Sequence, residues 1–185
     1  MSRLPLLSKV IILAIAGAVC APPTPALYAQ SASHLKHVSL DAGHFSFSVP
    51  SDFHALTVAE IKRKFPSGNP PKYVYANQSQ SISIAVNFIG RVPSLPVAKS
   101  IFDKMLPEKA PKFHWIKDGY STINGTTWID LEFTTAARDT TIHNNELYAL
   151  LPNTGVGVNL NTTVKSYPKA APLFQAVKSS LTLSP

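Results

Sequence analysis

The chain has 185 residues, with 17 Lys and Arg against 10 Asp and Glu, a formal charge of +7, one Cys and 45% hydrophobic residues. That length fits one ordinary domain, and the apolar share suffices for a globular core, which excludes wholesale disorder. One Cys excludes an internal disulfide framework and a zinc site built on several cysteines.

The chain opens as an export signal. Arg3 and Lys9 precede an uncharged run, VIILAIAGAV, from Val10 to Val19. A basic start followed by an apolar run of about 7–15 residues describes a secretory signal peptide. The run falls short of the roughly 20 apolar residues that a spanning helix needs. Pro22, Pro23 and Pro25 break the helix behind it, and cleavage is expected between Ala29 and Gln30, where a small residue meets the peptidase. Cys20 is preceded by Val19 and has Gly17 three places before it, a weak lipobox, so lipidation is not expected. The expected organisation is a signal peptide over 1–29, a flexible N-terminus over 30–36 and a single domain over 37–185.

Removing residues 1–29 takes two basic and no acidic residues, so the mature chain stays basic. A cysteine-free exported domain is unlike the stapled domains of eukaryotic secretion. The expected location is therefore the periplasm or the medium of a bacterium. Asn-X-Ser/Thr triplets stand at Asn77, Asn124 and Asn161, and in that setting they read as chance in a Ser/Thr-rich chain.

The first two strands are predicted over His37–Asp41 and His44–Val49. In FSFSV, Phe45, Phe47 and Val49 alternate with Ser46 and Ser48, giving one dry and one wet face. Asp41-Ala42-Gly43 supplies the turn between them. Thr57 and Glu60 have capping-box spacing and open a short basic helix through Lys64. After a proline-rich loop over 65–72, Tyr73–Ala76 and Ser81–Phe88 read as a strand pair. From Leu95 to Leu106 the apolar period changes to three and four, so a helix is predicted that Pro107 stops.

Four more strands are predicted over Phe113–Thr122, Thr126–Thr135, Thr140–Leu151 and Val156–Val164. Asn124-Gly125 is a strong hairpin signal, because both residues tolerate positive φ. A last helical stripe runs through Tyr167, Ala171, Phe174, Val177 and Leu181, with Pro172 expected near its first turn. Strands joined by short turns are antiparallel, and amphipathic helices bury their stripes on the sheet. The fold class is therefore α+β, an antiparallel β-sheet flanked by helices.

This order resembles the PsbP-like fold, which photosystem II extrinsic proteins share with the Ran-binding Mog proteins and the DcrB-type bacterial envelope proteins. FSFSVPSDF from Phe45 to Phe53, the strand SISIAVNF with the helix after it, the INGTTWIDLEF hairpin and the closing FQAVKSSLTL carry the likeness. It spans about residues 37–183. The resemblance implies an assembly factor, adaptor or chaperone-like binder, and no catalytic residues.

Direct evidence of chemistry in the residues is thin. No Gly-X-Ser-X-Gly elbow occurs, and Asp139 with His143 reads as a pair of exposed strand-end polar residues. His34, His37, His44 and His54 lie close in sequence but have only Asp41 and Asp52 as companions, so no physiological metal and no cofactor are expected. Gly155-Val156-Gly157 has Leu160 where a third glycine would be needed for a phosphate cradle, and reads as a turn. Asp130 and Glu132 share one face of their strand with Trp128, an arrangement that a glycosidase could use, although a solvated polar face explains it as well.

Lys62, Arg63 and Lys64 form a basic cluster, but elsewhere lysines alternate with acids, and no single-sign stripe for nucleic acid exists. At most a weak contact with an anionic membrane surface is expected. The expectation is a monomeric, non-enzymatic binding or adaptor protein of the cell envelope, contacting a protein partner through Lys62, Arg63, Lys64 and the adjoining loop. The alternative is a small-molecule-binding or hydrolytic periplasmic protein with a pocket between sheet and helices.

Overall fold

The computed structural model describes residues 34–66, 69–90, 92–137 and 139–184. The expected signal segment and its cleavage point between Ala29 and Gln30 lie outside the described residues. Strands β1 (Leu35–Leu40) and β2 (Phe45–Pro50) are followed by β3 (His54–Ala55), α1 (Val58–Lys64), β4 (Tyr73–Ala76) and β5 (Ser83–Gly90). Then come α2 (Leu95–Lys109), β6 (His114–Ile123), β7 (Thr126–Ala136), β8 (Thr141–Leu150), β9 (Thr154–Thr163), α3 (Tyr167–Ser179) and β10 (Thr182–Leu183). The α+β class holds, but with two antiparallel sheets rather than one. A seven-stranded sheet has the order β3-β4-β5-β9-β8-β7-β6, and a small sheet has the order β1-β2-β10.

The layers follow from the alternation. Phe45, Phe47 and Val49 of β2 point at the large sheet, where they join Trp128, Leu147, Val158 and Leu160 and the α3 residues Leu173, Phe174 and Val177 in the main core. Ile129, Leu131 and Phe133 of β7 point to the other face and pack with Ala98, Phe102 and Leu106 of α2. On that same face Ile61 of α1 packs with Phe65, Val74 and Ala85. The large sheet thus lies between the small sheet with α3 on one side and α1 with α2 on the other.

Local signals explain most boundaries. The Thr57–Glu60 capping box forms in both directions, with Thr57 N–H donating to Glu60 at 2.8 Å and Glu60 N–H to Thr57 Oγ1 at 3.3 Å. Asn124 and Gly125 have φ of 47° and 79°, the mirror-image turn that a tight hairpin needs. β1 starts at Leu35, so Leu35 and Lys36 belong to the folded domain and not to a flexible arm.

Pro107 does not stop α2, which runs to Lys109. A proline in the last turn forfeits one bond, and Ala110 N–H still reaches Leu106 O at 2.9 Å. Pro172 sits in the second turn of α3 rather than the first, where Pro168, whose carbonyl loses its partner, is exposed to water.

Gly155 lies beneath a ring. A Cβ placed there would come within 1.9 Å of Tyr148 Oη, whose ring is buried and opposes Gly157 across the β8–β9 ladder. Close approach therefore explains Gly155, which belongs to strand β9 like Gly157 and not to a turn. Gly155→Ala is expected to destabilise the fold by about 1–3 kcal/mol through overpacking, checked by urea unfolding. Adding Tyr148→Phe should restore part of that loss, because the hydroxyl it removes is buried and unpaired.

Candidate functional site

The polar interior of this domain sits under α3. Strand β6 carries a bulge between Trp115 and Lys117, so Trp115 pairs with Phe133 while Lys117 pairs with Glu132. An extra residue in a strand changes which face the following side chains take. Trp115 stays on the α2 side, packed against Phe133, and Lys117 is delivered to the α3 side. From the other direction, Tyr167 and Lys178 stand eleven positions apart, about three helical turns, and so share one face of α3.

These elements meet on β7. Asp130 is fully buried and accepts hydrogen bonds from Ser121 Oγ at 2.6 Å, Asn145 Nδ2 at 3.0 Å and Lys117 Nζ at 2.5 Å. Lys178 Nζ reaches both of its oxygens, at 3.0 and 2.9 Å. Burial by itself would raise the pKa of this carboxyl. The donors Lys117, Ser121, Lys178 and Asn145 outweigh it and hold Asp130 well below the usual carboxylate range.

Two residues along, Glu132 Oε1 accepts from Tyr167 Oη at 2.9 Å and lies 2.8 Å from His143 Nε2. The His143 ring stacks on that of Tyr167, with centroids 3.3 Å apart, and its N–H is not aligned on the carboxylate. Burial lowers the His143 pKa, against the pull of Glu132, so the imidazole is neutral at pH 7. Burial and the adjacent Glu132 push the Tyr167 hydroxyl up to about 12.

A pocket of about 360 Å³ opens beside Asp130 at the end of α3, lined by Lys117, Ser121, Thr122, Gln175, Lys178 and Ser179 among others. Asn124 closes one wall, its amide donating to the carbonyls of Ser179 and Leu181, both at 3.0 Å. The hairpin residue thus also caps the helix.

A second polar group lies on the opposite face of the sheet, between the two clusters packed by α1 and α2. Ser83 Oγ donates to Asn161 at 2.7 Å, Asn161 to Asn159 at 3.0 Å, and Asn159 to Glu146 at 2.6 Å. All four side chains are buried. Burial pushes the Glu146 carboxyl up to about 8, although its bond from Asn159 opposes this, so Glu146 is neutral at pH 7.

Several sequence expectations change here. The Asp130 and Glu132 face is no solvated surface, because α3 covers it. Trp128 is fully buried, with its ring centroid 6.4 Å from that of Phe45, and cannot stack on a sugar. Asp139 is exposed as expected, but His143 is buried. In the basic cluster, Lys62 and Arg63 are exposed while Lys64 is buried and donates to Gln80 O at 2.6 Å, which takes it out of the proposed contact.

The glycan triplets are engaged too: Asn161 and Asn77 are buried and hydrogen-bonded, and the Asn124 amide is committed to α3. His37 and His44 are exposed on the small sheet, and among the described residues no three His, Cys, Asp or Glu side chains gather. Nor is any described helix long and apolar enough to cross a membrane.

The fold is PsbP-like. It is similar to cyanobacterial PsbP (CyanoP) from Synechocystis sp. PCC 6803, with TM-score 0.59 and 15% identity over 81% of this chain and 92% of that one. It is also similar to LpqN, involved in cell envelope biogenesis of Mycobacterium tuberculosis, with TM-score 0.58 and 12% identity over 82% of this chain and 92% of that one. A Pseudomonas aeruginosa protein of unknown function has TM-score 0.50 and 13% identity over 82% of this chain and 99% of that one. No protein-family model and no curated protein sequence matches the chain.

Proposed function

We propose that this chain is an exported, non-enzymatic binding or adaptor protein of the bacterial cell envelope that acts through protein–protein contacts. The observation that carries this reading is the commitment of the carboxylates under α3 to internal partners. Asp130 is held ionised by its donors and has no proton to give near neutral pH, and Glu132 is engaged by Tyr167 and His143. Asp130 in that state cannot serve as the protonated acid that glycoside hydrolysis needs, and Glu132 is taken up by an internal hydrogen bond from Tyr167. Groups so disposed fix α3 to the sheet. The same fold in a protein of cell envelope biogenesis adds support, as does the secretory pattern of residues 1–29.

The contact surface in this proposal is the exposed side of α1, Lys62 and Arg63, with the loop that follows. Crosslinking of tagged protein in intact envelopes, read by mass spectrometry, is expected to give one stoichiometric protein partner. The double variant Lys62→Glu, Arg63→Glu should lose that partner with an unchanged melting temperature, since exposed substitutions shift stability by about 0.5 kcal/mol or less. Undiminished capture by the variant would remove α1 as the contact. A wild-type chain that yields no protein partner would remove the adaptor reading.

A further inference from the structure

The pocket at the end of α3 has donors that the internal ion pairs leave over. An ammonium carries three N–H groups. Lys117 directs one to Asp130 and one to Ser121, and Lys178 directs its bonds to the two oxygens of Asp130. Asp130 also accepts from Ser121 and Asn145, which fills its lone pairs. Each ammonium therefore keeps an N–H that no described residue meets.

Of the charged groups that line the pocket, two are ammoniums and one is a carboxylate, Asp130; Glu132 lies outside the lining and accepts from Tyr167. Lys117 is 43% exposed and Asp130 has no exposed surface, so an entering group meets the cationic donors rather than the carboxylate. Such a lining suits an acceptor that carries negative charge.

We propose that this pocket binds a compact oxyanion, the carboxylate or phosphate group of a small ligand, between Lys117 and Lys178. The volume of about 360 Å³ is within the range of small-ligand sites. The bulge before Lys117 gains a purpose in this arrangement, because it turns that side chain into the pocket. The site lies on the opposite face of the sheet from α1 and does not depend on the protein contact proposed there.

The test is a titration of the ¹⁵N-labelled protein with inorganic phosphate and, separately, with acetate, at constant ionic strength. Saturable shifts are expected at the backbone amides of Ser121, Thr122 and Ser179. Lys117→Gln should weaken them by about tenfold, and Lys117→Arg, which keeps the charge and donors, should restore them. Tighter binding of phosphate assigns a phosphorylated ligand, and tighter binding of acetate a carboxylate. Shifts in the wild-type protein that stay linear with either anion overturn the site, as does equal affinity in Lys117→Gln. Neither result bears on capture through Lys62 and Arg63.

Discussion

Asp130→Ala is expected to lower the melting temperature at pH 7 by on the order of 10 °C, from a loss of about 3 kcal/mol. The substitution strands Lys178, whose side chain is only 15% exposed, and leaves the Asn145 amide without one of its acceptors. Breaking a buried ion pair from one side typically costs about 3–5 kcal/mol, and the adjoining pocket admits water to the ammoniums, which favours the lower end. Lys117→Met removes a partly exposed partner and should cost no more than about 1 kcal/mol. The sign with pH follows from the depressed pKa of the folded carboxyl. Below its ordinary value of about 3.9 the unfolded chain takes up a proton that folded Asp130 refuses. Wild-type stability therefore falls in acid, and wild-type and Asp130→Ala melting curves converge as pH drops below about 4. Near-identical melting temperatures at pH 7 would show that the Asp130–Lys178 ion pair does not hold α3.

Glu146→Gln should act in the opposite direction. Its carboxyl is pushed up to about 8 in the fold, against about 4.3 in the unfolded chain. Between those values the unfolded state ionises while the folded state keeps its proton. Stability is therefore greatest below about pH 4 for this group and declines by roughly 1 kcal/mol per pH unit up to about 8. The amide has the shape of the neutral acid and no such decline. Glu146→Gln is expected to melt above wild type at pH 8, with the gap closing as pH falls towards 4. Parallel pH profiles for the two proteins would show that Glu146 is ionised in the fold. With Asp130 losing its contribution in acid and Glu146 imposing a penalty in base, these two groups place the wild-type maximum at mildly acidic pH.

Much of the fold was legible because period and punctuation agreed. FSFSV and SISIAVNF alternate cleanly, Asn124-Gly125 permits one kind of turn, and Thr57 with Glu60 satisfies the first turn of α1. What escaped were short or long-range effects. β3 and β10 have two residues each, too few for a period to register. The bulge at Lys117 leaves no mark in composition, and strict alternation would have placed Lys117 beside Trp115.

The candidate site was half visible. Asp130 and Glu132 were correctly set on one strand face, but their partners Lys178 and Tyr167 come from a helix more than thirty residues later. A strand read alone cannot tell a solvated polar face from one covered by a helix. The Asn159–Asn161 row did have a signal: in GVGVNLN the residues between Val156, Val158 and Leu160 are all glycine or asparagine. Lys64 shows the reverse error, since adjacent charges suggest one exposed cluster while helical geometry turns the third residue inward.

The small sheet sets the order in which the chain can fold. Strand β2 has β1 on one side, and on the other Ser46 waits for Thr182. In the large sheet β5 is bordered by β4 and by β9, where Ser83 meets Asn161. A ribosome releases β2 and β5 long before β9, α3 and β10, so Phe45 and Phe47 spend most of synthesis without the surface that buries them. Such distant pairings make folding slow and cooperative. The delay exposes nascent or C-terminally nicked chains to proteases until the last strand is in place.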